Sequence, residues 1–274
     1  MAEESIEHEK SDADAKDKSG YTLFNPTPEK LMRELSADRP DKTDSPFTVD
    51  AGHFQVEMDF ANLTYDRSGG VKTTAWEVAP LNLKVGLLND VDFQLVFTPQ
   101  RWERTEYRIA GTHMIASGFD GITPRLKINL LGNDGGFFAL ALIPFIKLPV
   151  SSVGLGNNAV EGGLGIPFAF DIPGWDVGFQ TTFHYNRNSI GNAYHAEFDN
   201  SVSIGHPIIG EKLSASVEFF SSVSRERGEG WVGTIDTWLT YQATKNLRFD
   251  AGVYIGVTPA ADNWHPFAGM TWRF

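Results

Sequence analysis

The sequence predicts an all-β fold, a transmembrane antiparallel up-and-down β-barrel of about twelve strands with a short N-terminal segment. Three observations support this prediction. After Asp50, apolar and polar residues alternate over segments of about 9–13 residues, and clusters of Gly, Asn, Asp and Pro separate the segments. Short and long connections alternate along the chain. The last segment ends in an aromatic residue at the carboxyl terminus.

Composition excludes several other classes of protein. The 274 residues contain no stretch near the roughly 18 apolar residues of a spanning helix, because Pro144 interrupts the longest run, Phe137 to Ile146. Lys and Arg number 23 against 35 Asp and Glu, which gives a net charge of −12 and argues against a nucleic-acid partner. No cysteine is present, so thiolate chemistry and disulfides are excluded.

The chain divides into three predicted parts. Residues 1–26 are expected to form a disordered acidic tail, since the first 20 residues hold seven carboxylates and little apolar surface. Residues 27–50 are expected to lie in the periplasm or to plug the barrel, and residues 51–274 to form the outer-membrane barrel. The chain begins without a basic and then apolar export signal, so we expect that a signal peptide has been removed.

The segment after the tail carries a helix pattern. Thr27 can cap a helix and Pro28 suits the first helical position, while Leu31, Met32 and Leu35 fall on one helical face. The sequence therefore predicts a short helix, which needs a docking surface to be stable.

Twelve strands follow from the alternation of apolar and polar residues. Their predicted ranges are 52–66, 71–88, 91–99, 120–131, 136–147, 160–170, 175–187, 192–205, 211–225, 230–243, 246–258 and 264–274. Connections after even-numbered strands are tight, and those after odd-numbered strands are mostly longer, with 100–119 and 148–159 the longest. In outer-membrane barrels the short turns face the periplasm, so both chain ends are expected at that rim.

Each strand has one apolar and one polar face. In 175–187, Trp175, Phe179 and Phe183 oppose Gln180 and His184. Charges facing hydrocarbon at mid-depth cost about 2–4 kcal/mol each for Lys or Arg, so the polar face must point inward. The apolar face is then expected to contact outer-membrane lipid, with Trp and Tyr near the strand ends as interface anchors.

The final residues, Phe267 to Phe274, alternate and end in an aromatic side chain. This ending resembles the C-terminal signal of outer-membrane barrel proteins. The resemblance implies that the barrel-assembly machinery is a partner, through Phe274.

Leu31 to Phe60 carries a further resemblance, most specifically from Asp38-Arg39-Pro40-Asp41 through Gly52-His53-Phe54-Gln55. Gly118-Phe119-Asp120 leading into Arg125 and Lys127, and then Lys147-Leu148-Pro149, continue it. Over roughly residues 30 to 274 the chain resembles the transporter-like family named for the MetA pathway of phenol degradation. This resemblance implies an outer-membrane barrel that transports small compounds, aromatic ones included.

Strand parity places a set of ionisable side chains in the lumen. The candidate lumen-lining or transport residues are Glu57, Glu77, Lys84, Arg125, Lys127, His184, His195, Glu197, Glu218, Asp236, Arg248 and Asp250. These charges either line a water path or close one through cross-strand ion pairs. His184 and His195 lie on adjacent strands and could meet in the lumen, most simply in ordinary hydrogen bonding.

Four charged residues precede the first strand: Asp38, Arg39, Asp41 and Lys42. They are candidates for an ion-paired latch that holds the N-terminal segment against the barrel, or for part of a lumen site, because Arg39 can bind a carboxylate through two hydrogen bonds. The alternative is a solvated turn before the first strand.

We expect no cofactor, no metal site and no catalysis, since the seven His residues lack ligand spacing and no motif aligns a Ser with a His. The expected function is a passive outer-membrane channel for small molecules, including hydrophobic or aromatic ones. The alternative is a closed structural or interaction barrel that binds another envelope protein. An outer-membrane phospholipase is the third possibility.

Overall fold

The structure is a computed structural model that describes residues 17–210 and 212–274. It contains thirteen strands and one three-residue 3-10 helix, Glu29–Leu31. The strands are β1 (Phe54–Ser68), β2 (Val71–Val78), β3 (Leu81–Leu88), β4 (Val91–Tyr107), β5 (Thr112–Leu131), β6 (Phe138–Lys147), β7 (Glu161–Ile172), β8 (Trp175–Arg187), β9 (Tyr194–Ile209), β10 (Leu213–Ser224), β11 (Val232–Thr244), β12 (Leu247–Gly256) and β13 (Trp264–Arg273). None of the described residues forms a helix long and apolar enough to cross a bilayer.

The strands form one closed antiparallel barrel. Apart from β2 and β3, successive strands pair along the chain, and β13 pairs with β1 from Gln55 opposite Arg273 to Tyr65 opposite Trp264. The strands β2 and β3 both lie between β1 and β4, so they fill one position in the wall. The predicted twelve-stranded barrel is thus confirmed, with one strand divided in two.

The division of predicted strand 71–88 occurs at Ala79 and Pro80. Pro80 has no backbone N–H to donate to a ladder, and Ala79 adopts a φ of 52°. The break also changes the inward parity, from Ala75 and Glu77 in β2 to Lys84 in β3. The alternation of apolar and polar residues did not reveal this break, because apolar residues occur both before and after it.

The prediction of a long loop over residues 100–119 is wrong. Strands β4 and β5 stay paired as far as Tyr107 opposite Thr112, and only four residues connect them. This hairpin extends toward the rim with the longer connections, where water can solvate both faces of a strand. The alternation that identifies a membrane strand is therefore not required there.

The N-terminal predictions also differ from the structure. The helix predicted from Thr27 is a single 3-10 turn, and the Thr27 hydroxyl caps nothing. The segment is too short to propagate a helix, and barrel groups bind its backbone instead. Of the predicted disordered tail, residues 1–16 lie outside the described residues. Residues 17–26 form a turn against β3, where Leu23 N donates to Leu87 O at 2.8 Å.

The barrel has polar groups inside and apolar groups outside. Among the inward residues, Lys127 and Asp236 are fully buried. Outward aliphatic and aromatic side chains remain exposed, for example Phe183 at 40% and Leu239 at 48%. Several aromatic residues near strand ends are also exposed outward: Trp76, Trp175, Tyr185, Trp264 and Trp272. This arrangement suits a barrel surrounded by lipid.

Candidate functional site in the lumen

Residues 33–50 enter the barrel at the rim with the short turns and fold back inside it before β1 begins. We call this segment the plug. The plug contains two prolines, Pro40 and Pro46, and forms no regular secondary structure. Its backbone N–H groups are therefore free to bind side chains of the wall. Contacts with strands from both halves of the barrel hold the plug.

The entrance of the plug is fixed around Asp50. This carboxylate is fully buried, and it accepts hydrogen bonds from the backbone N–H of Arg33 at 3.0 Å and from Nη1 of Arg273 at 3.3 Å. Arg33 also reaches Asp134 in the β5–β6 turn at 2.9 Å. The plug is therefore tied to β13 and to the rim.

Asp38 lies between two lysines of the wall. Its carboxylate pairs with Lys84 at 2.6 Å and with Lys127 at 2.5 Å, and its backbone N–H donates to Glu57. Glu57 in turn pairs with Lys84. Burial opposes ionisation of Asp38, but the ammonium groups of Lys127 and Lys84 outweigh it and hold the pKa of Asp38 below its ordinary value.

Arg39 binds carboxylates of two different strands. Its Nε and Nη2 donate to Asp250 of β12 at 2.9 and 2.6 Å, and Nη2 also donates to Asp59 of β1 at 2.7 Å. Arg248 donates to the backbone carbonyl of Arg39 at 2.8 Å. The guanidinium of Arg39 thus joins the plug to the seam where the barrel closes.

The far end of the plug contacts β10 and β11. The Lys42 ammonium group pairs with Asp236 at 2.9 Å and lies over the rings of Phe220 and Tyr254. The backbone N–H groups of Lys42 and Thr43 donate to Glu218 at 3.0 and 2.8 Å.

Asp41 accepts a hydrogen bond from Ser203 at 3.0 Å. Burial and the negative charge of Glu218 raise the pKa of Asp41 well above its ordinary value, although Arg248 acts in the opposite direction.

Asp44 completes the ring of contacts on β5 and β8. Its carboxylate pairs with Arg125 at 2.7 Å, and its backbone N–H donates to Gln180 at 2.6 Å. All four predicted latch residues therefore contact the wall. Eight residues of the predicted lumen set contact the plug in turn: Glu57, Lys84, Arg125, Lys127, Glu218, Asp236, Arg248 and Asp250.

The other four predicted lumen residues lie away from the plug. His184 binds Asp199 at 2.8 Å, whereas His195 binds Asn188 at 2.9 Å, so the two imidazoles have separate partners. Glu197 accepts from Ser222 at 3.1 Å, and Glu77 pairs with Arg101 at 2.8 Å. Within residues 17–210 and 212–274, no group of three or more His, Asp or Glu side chains is arranged to hold a metal ion.

The plug separates two cavities. The upper cavity, on the side of the longer connections, has a volume of about 360 Å³, and Lys42, Asp44 and Arg125 contribute to it. The lower cavity, on the short-turn side, measures about 810 Å³ and lies along the plug from Arg33 to Thr48. Both cavities are lumen space that the plug leaves unfilled.

Several lumen residues were outside the predicted site set: Arg33, Asp44, Asp50, Phe145 and Phe220, together with Asp59 and Gln180, which parity had placed on the inward polar face without a role. Those on strands share the inward parity of the predicted residues, which is the signal that finds them. Arg33, Asp44 and Asp50 lie in the plug, where no periodic pattern indicates which side chains contact the wall.

Structural comparison identifies a similar barrel. An outer membrane channel from Pseudomonas putida F1 matches with a TM-score of 0.62 at 12% identity, covering 87% of this chain and 100% of that chain. OmpT of Vibrio cholerae, as a loop-deletion mutant, matches with a TM-score of 0.41 at 9% identity, covering 81% of this chain and 98% of that chain. At such identity the first match establishes the fold, that of an outer-membrane channel.

A search among curated proteins gave no match. The family model described as "Putative MetA-pathway of phenol degradation" matches residues 37–274, which include most of the plug and the whole barrel wall. With this match, the expected resemblance is confirmed: the chain belongs to that family.

Proposed function

We propose that this protein is an outer-membrane channel for the passive passage of small molecules, and that the plug closes it in the present conformation. One observation carries the proposal, which is that the plug lies across the lumen between two cavities. Hydrogen bonds and ion pairs with the wall, rather than apolar packing, hold the plug in this position. Among the plug residues 33–50, Val49 is the one large aliphatic residue that is buried, at 4% exposure. The fold is that of outer-membrane barrels, which supports placing this chain in the outer membrane.

Polar attachment suits a segment that moves. Each hydrogen bond between plug and wall contributes only about 0.5–1.5 kcal/mol net, because water satisfies the same groups once the plug leaves. The cationic and anionic residues of the wall would then line a hydrated path. A twelve-stranded barrel is narrower than porins of 16 or more strands, so the path suits small solutes.

A second function is favoured by a different observation. Asp38, Arg39, Lys42 and Asp44 are all paired with opposite charges of the wall. A permanently seated plug would give a closed barrel, whose rims would bind another envelope protein. The two functions differ in one respect, which is whether the plug has to move.

A reversible cross-link distinguishes these functions. A Cβ atom at Gly178 of β8 would lie 3.3 Å from Cγ2 of Thr43, a separation that suits a disulfide between cysteines at the two positions. Since the chain has no cysteine, the double variant Thr43→Cys/Gly178→Cys has no competing thiol. In planar bilayers we expect the oxidised protein to conduct less than the same protein after dithiothreitol.

The two single-cysteine variants are the controls, and dithiothreitol should not change their conductance. The channel proposal fails if the oxidised and reduced double variants pass equally little current and a variant without residues 1–50 also passes none. That result would favour the closed interaction barrel.

A further inference from the structure

The wall charges that hold the plug are sorted to two sides of the barrel. One group, which we call the cationic face, lies on β3 and β5 and consists of Lys84, Arg125 and Lys127. The other group, which we call the acidic face, lies on β10, β11 and β12 and consists of Glu218, Asp236 and Asp250. In the strand order, β3–β5 and β10–β12 are roughly half the circumference of the barrel apart. The lumen therefore carries opposite charge on opposite sides.

The plug presents the complementary charge to each face. Its carboxylates Asp38 and Asp44 pair with the cationic face. Its cations Arg39 and Lys42 pair with the acidic face. The remaining charged residue of this stretch, Asp41, accepts a hydrogen bond from β9 instead. Because Asp38 and Arg39 are consecutive, one piece of chain reaches both faces with opposite charges.

Strand register brings like charges together within each face. Lys84 and Arg125 are both in register with Gln94 of β4, so the two cations flank one uncharged residue. Glu218 lies directly opposite Asp236 on the neighbouring strand. Like charges at such positions repel each other and destabilise a sheet. The charges of the plug offset this repulsion, and the offset is lost when the plug leaves unless a solute replaces it.

Neither face contains charges of one sign alone. Glu57 and Asp92 lie beside the cationic face, where they accept hydrogen bonds from glutamine side chains of the wall. Arg248 lies on β12 with the acidic face, and Asp59 on β1 is a further carboxylate that binds Arg39. Three cations against two carboxylates on one side, and three carboxylates against one cation on the other, leave each face with an excess of its own sign. A solute with a single charge is therefore attracted to one face and repelled by the other.

We propose that the path left by the plug favours small zwitterionic solutes, with the carboxylate toward the cationic face and the ammonium group toward the acidic face. The inference rests on the proposed channel function, since both faces become accessible only when the plug leaves. One layer of chain with its side chains is about 10 Å thick, and an extended tripeptide spans about 10 Å. A zwitterion of that length reaches both faces at once.

Uptake into lipid vesicles that contain the full chain tests the proposal with four probes of one backbone. Triglycine is the zwitterion, N-acetyltriglycine the anion, triglycine amide the cation and N-acetyltriglycine amide the uncharged form. Vesicles without protein measure leakage through the lipid. At neutral pH and low salt we expect triglycine to enter about fivefold faster than each of the other probes, because only triglycine has a counter-charge for both faces.

Two double variants test the faces separately. Asp38→Asn/Lys127→Gln neutralises one ion pair at the cationic face, and Lys42→Gln/Asp236→Asn neutralises one at the acidic face. Removing both members of a pair avoids leaving a buried charge without its partner. The first variant should lower the preference for triglycine over triglycine amide about threefold, the effect of one hydrated ion pair. The second should lower the preference over N-acetyltriglycine, and each variant should leave the other preference unchanged.

Arg39→Ala is the control, because it loosens the plug without changing the charge of either face. All four probes should enter faster, in unchanged ratios. Equal entry of the four probes through the parent protein would keep the channel and overturn this inference, and that comparison is decisive even if a double variant does not fold. Equal changes of both preferences in each double variant would also overturn it. If no probe exceeds leakage even with Arg39→Ala, the channel function fails, and the inference fails with it.

Discussion

Arg39 connects the plug to two strands that are far apart in sequence and adjacent in the closed barrel. Its partners, Asp59 and Asp250, face the lumen from β1 and β12. Removing one partner of a buried ion pair costs about 3–5 kcal/mol, because the remaining charge is left uncompensated. The planar guanidinium also donates in two directions at once, which a lysine ammonium cannot reproduce with the same geometry.

Replacing Arg39 by Ala is therefore expected to loosen the plug. Single-channel recordings should show more frequent or larger openings, and limited proteolysis should cleave residues 33–50 faster than in the parent. Arg104→Ala is the matched control, because Arg104 forms an exposed pair with Glu106 at 2.9 Å, and such pairs contribute about 0–1 kcal/mol. A folded Arg39→Ala protein with parental conductance and cleavage would show that Arg39 is no latch.

Asp41 is expected to make plug seating depend on pH. Burial and Glu218 raise its pKa in the seated plug, while Arg248 and Ser203 oppose the rise. The seated state therefore binds the proton more tightly than the released state. Its stabilisation is complete below the ordinary carboxyl pKa of about 3.9 and is lost as the pH rises through the raised value. Asp38 has a lowered pKa, so its stabilisation is lost only in stronger acid.

Channel recordings at a series of pH values check this expectation. Conductance should increase as the pH rises above the ordinary carboxyl range and through the raised pKa of Asp41, and Asp41→Asn should reduce that increase because its side chain does not titrate. An unchanged pH profile in Asp41→Asn would assign the dependence to another group.

The candidate site was predictable in part. Strand parity places Glu57, Lys127 and Asp250 in the lumen, because a charge in hydrocarbon is too costly. Asp38 and Arg39 were latch candidates, but which wall residue each one binds was not predictable, since they lie in a segment without periodicity. The contact between Arg39 and Asp250 joins residues 211 positions apart, and only the closed barrel brings them together.

At the scale of secondary structure, the break between β2 and β3 interrupts one strand position of the wall. The neighbouring strands also shift register at this level, between Asp59 and Ala61 in β1 and between Phe97 and Arg101 in β4. Asp59 N donates to Pro80 O at 3.1 Å across the break. Strand pairing is therefore irregular at three neighbouring positions of the wall, near Asp59, whose carboxylate binds Arg39.

Ala79 holds a left-handed φ of 52°, which is unfavourable for a residue with a Cβ atom. Ala79→Val should destabilise the barrel by about 1–2 kcal/mol, because a β-branched side chain tolerates this conformation less well. Urea unfolding in lipid vesicles measures the change. The control Ala251→Val, on the outward face of extended β12, should stay within about 0.5 kcal/mol of the parent. Equal losses in both variants would contradict the strain at Ala79.

Elements were predictable where lipid imposes alternation. Strands such as β8 agree with the prediction because every second residue must be apolar. The extensions of β4 and β5 were missed since water surrounds them, and the predicted helix was wrong because apolar spacing at Leu31, Met32 and Leu35 says nothing about barrel groups that bind the backbone. A local pattern of apolar and polar residues indicates whether a segment faces lipid, water or other protein groups. It predicts secondary structure only where that environment is the same along the whole segment.

At the scale of the whole molecule, the outer surface of the barrel is apolar and faces lipid, and the inner surface is mainly polar. Leu239 and Thr240 are neighbours at the middle of β11 and point to opposite sides of the wall. Leu239→Arg should cost about 2–4 kcal/mol in unfolding from lipid vesicles, because its charge would lie in hydrocarbon. Thr240→Arg, which points into the lower cavity, should change stability by about 1 kcal/mol or less. The opposite order would reverse the assigned sidedness.

The pairing of β1 with β13 also determines when the barrel can close. Phe54 and Phe274 exchange two backbone hydrogen bonds, at 3.0 and 2.9 Å, so the first residue of β1 meets the residue that follows β13. A chain whose synthesis stops before Trp264 has two unpaired sheet edges, which are sites for aggregation. Closure of the barrel therefore requires β13, and nonlocal pairing of this kind is slow. Until β13 pairs with β1, the sheet therefore exposes the hydrogen-bonding groups of β1 at one edge and those of the last paired strand at the other.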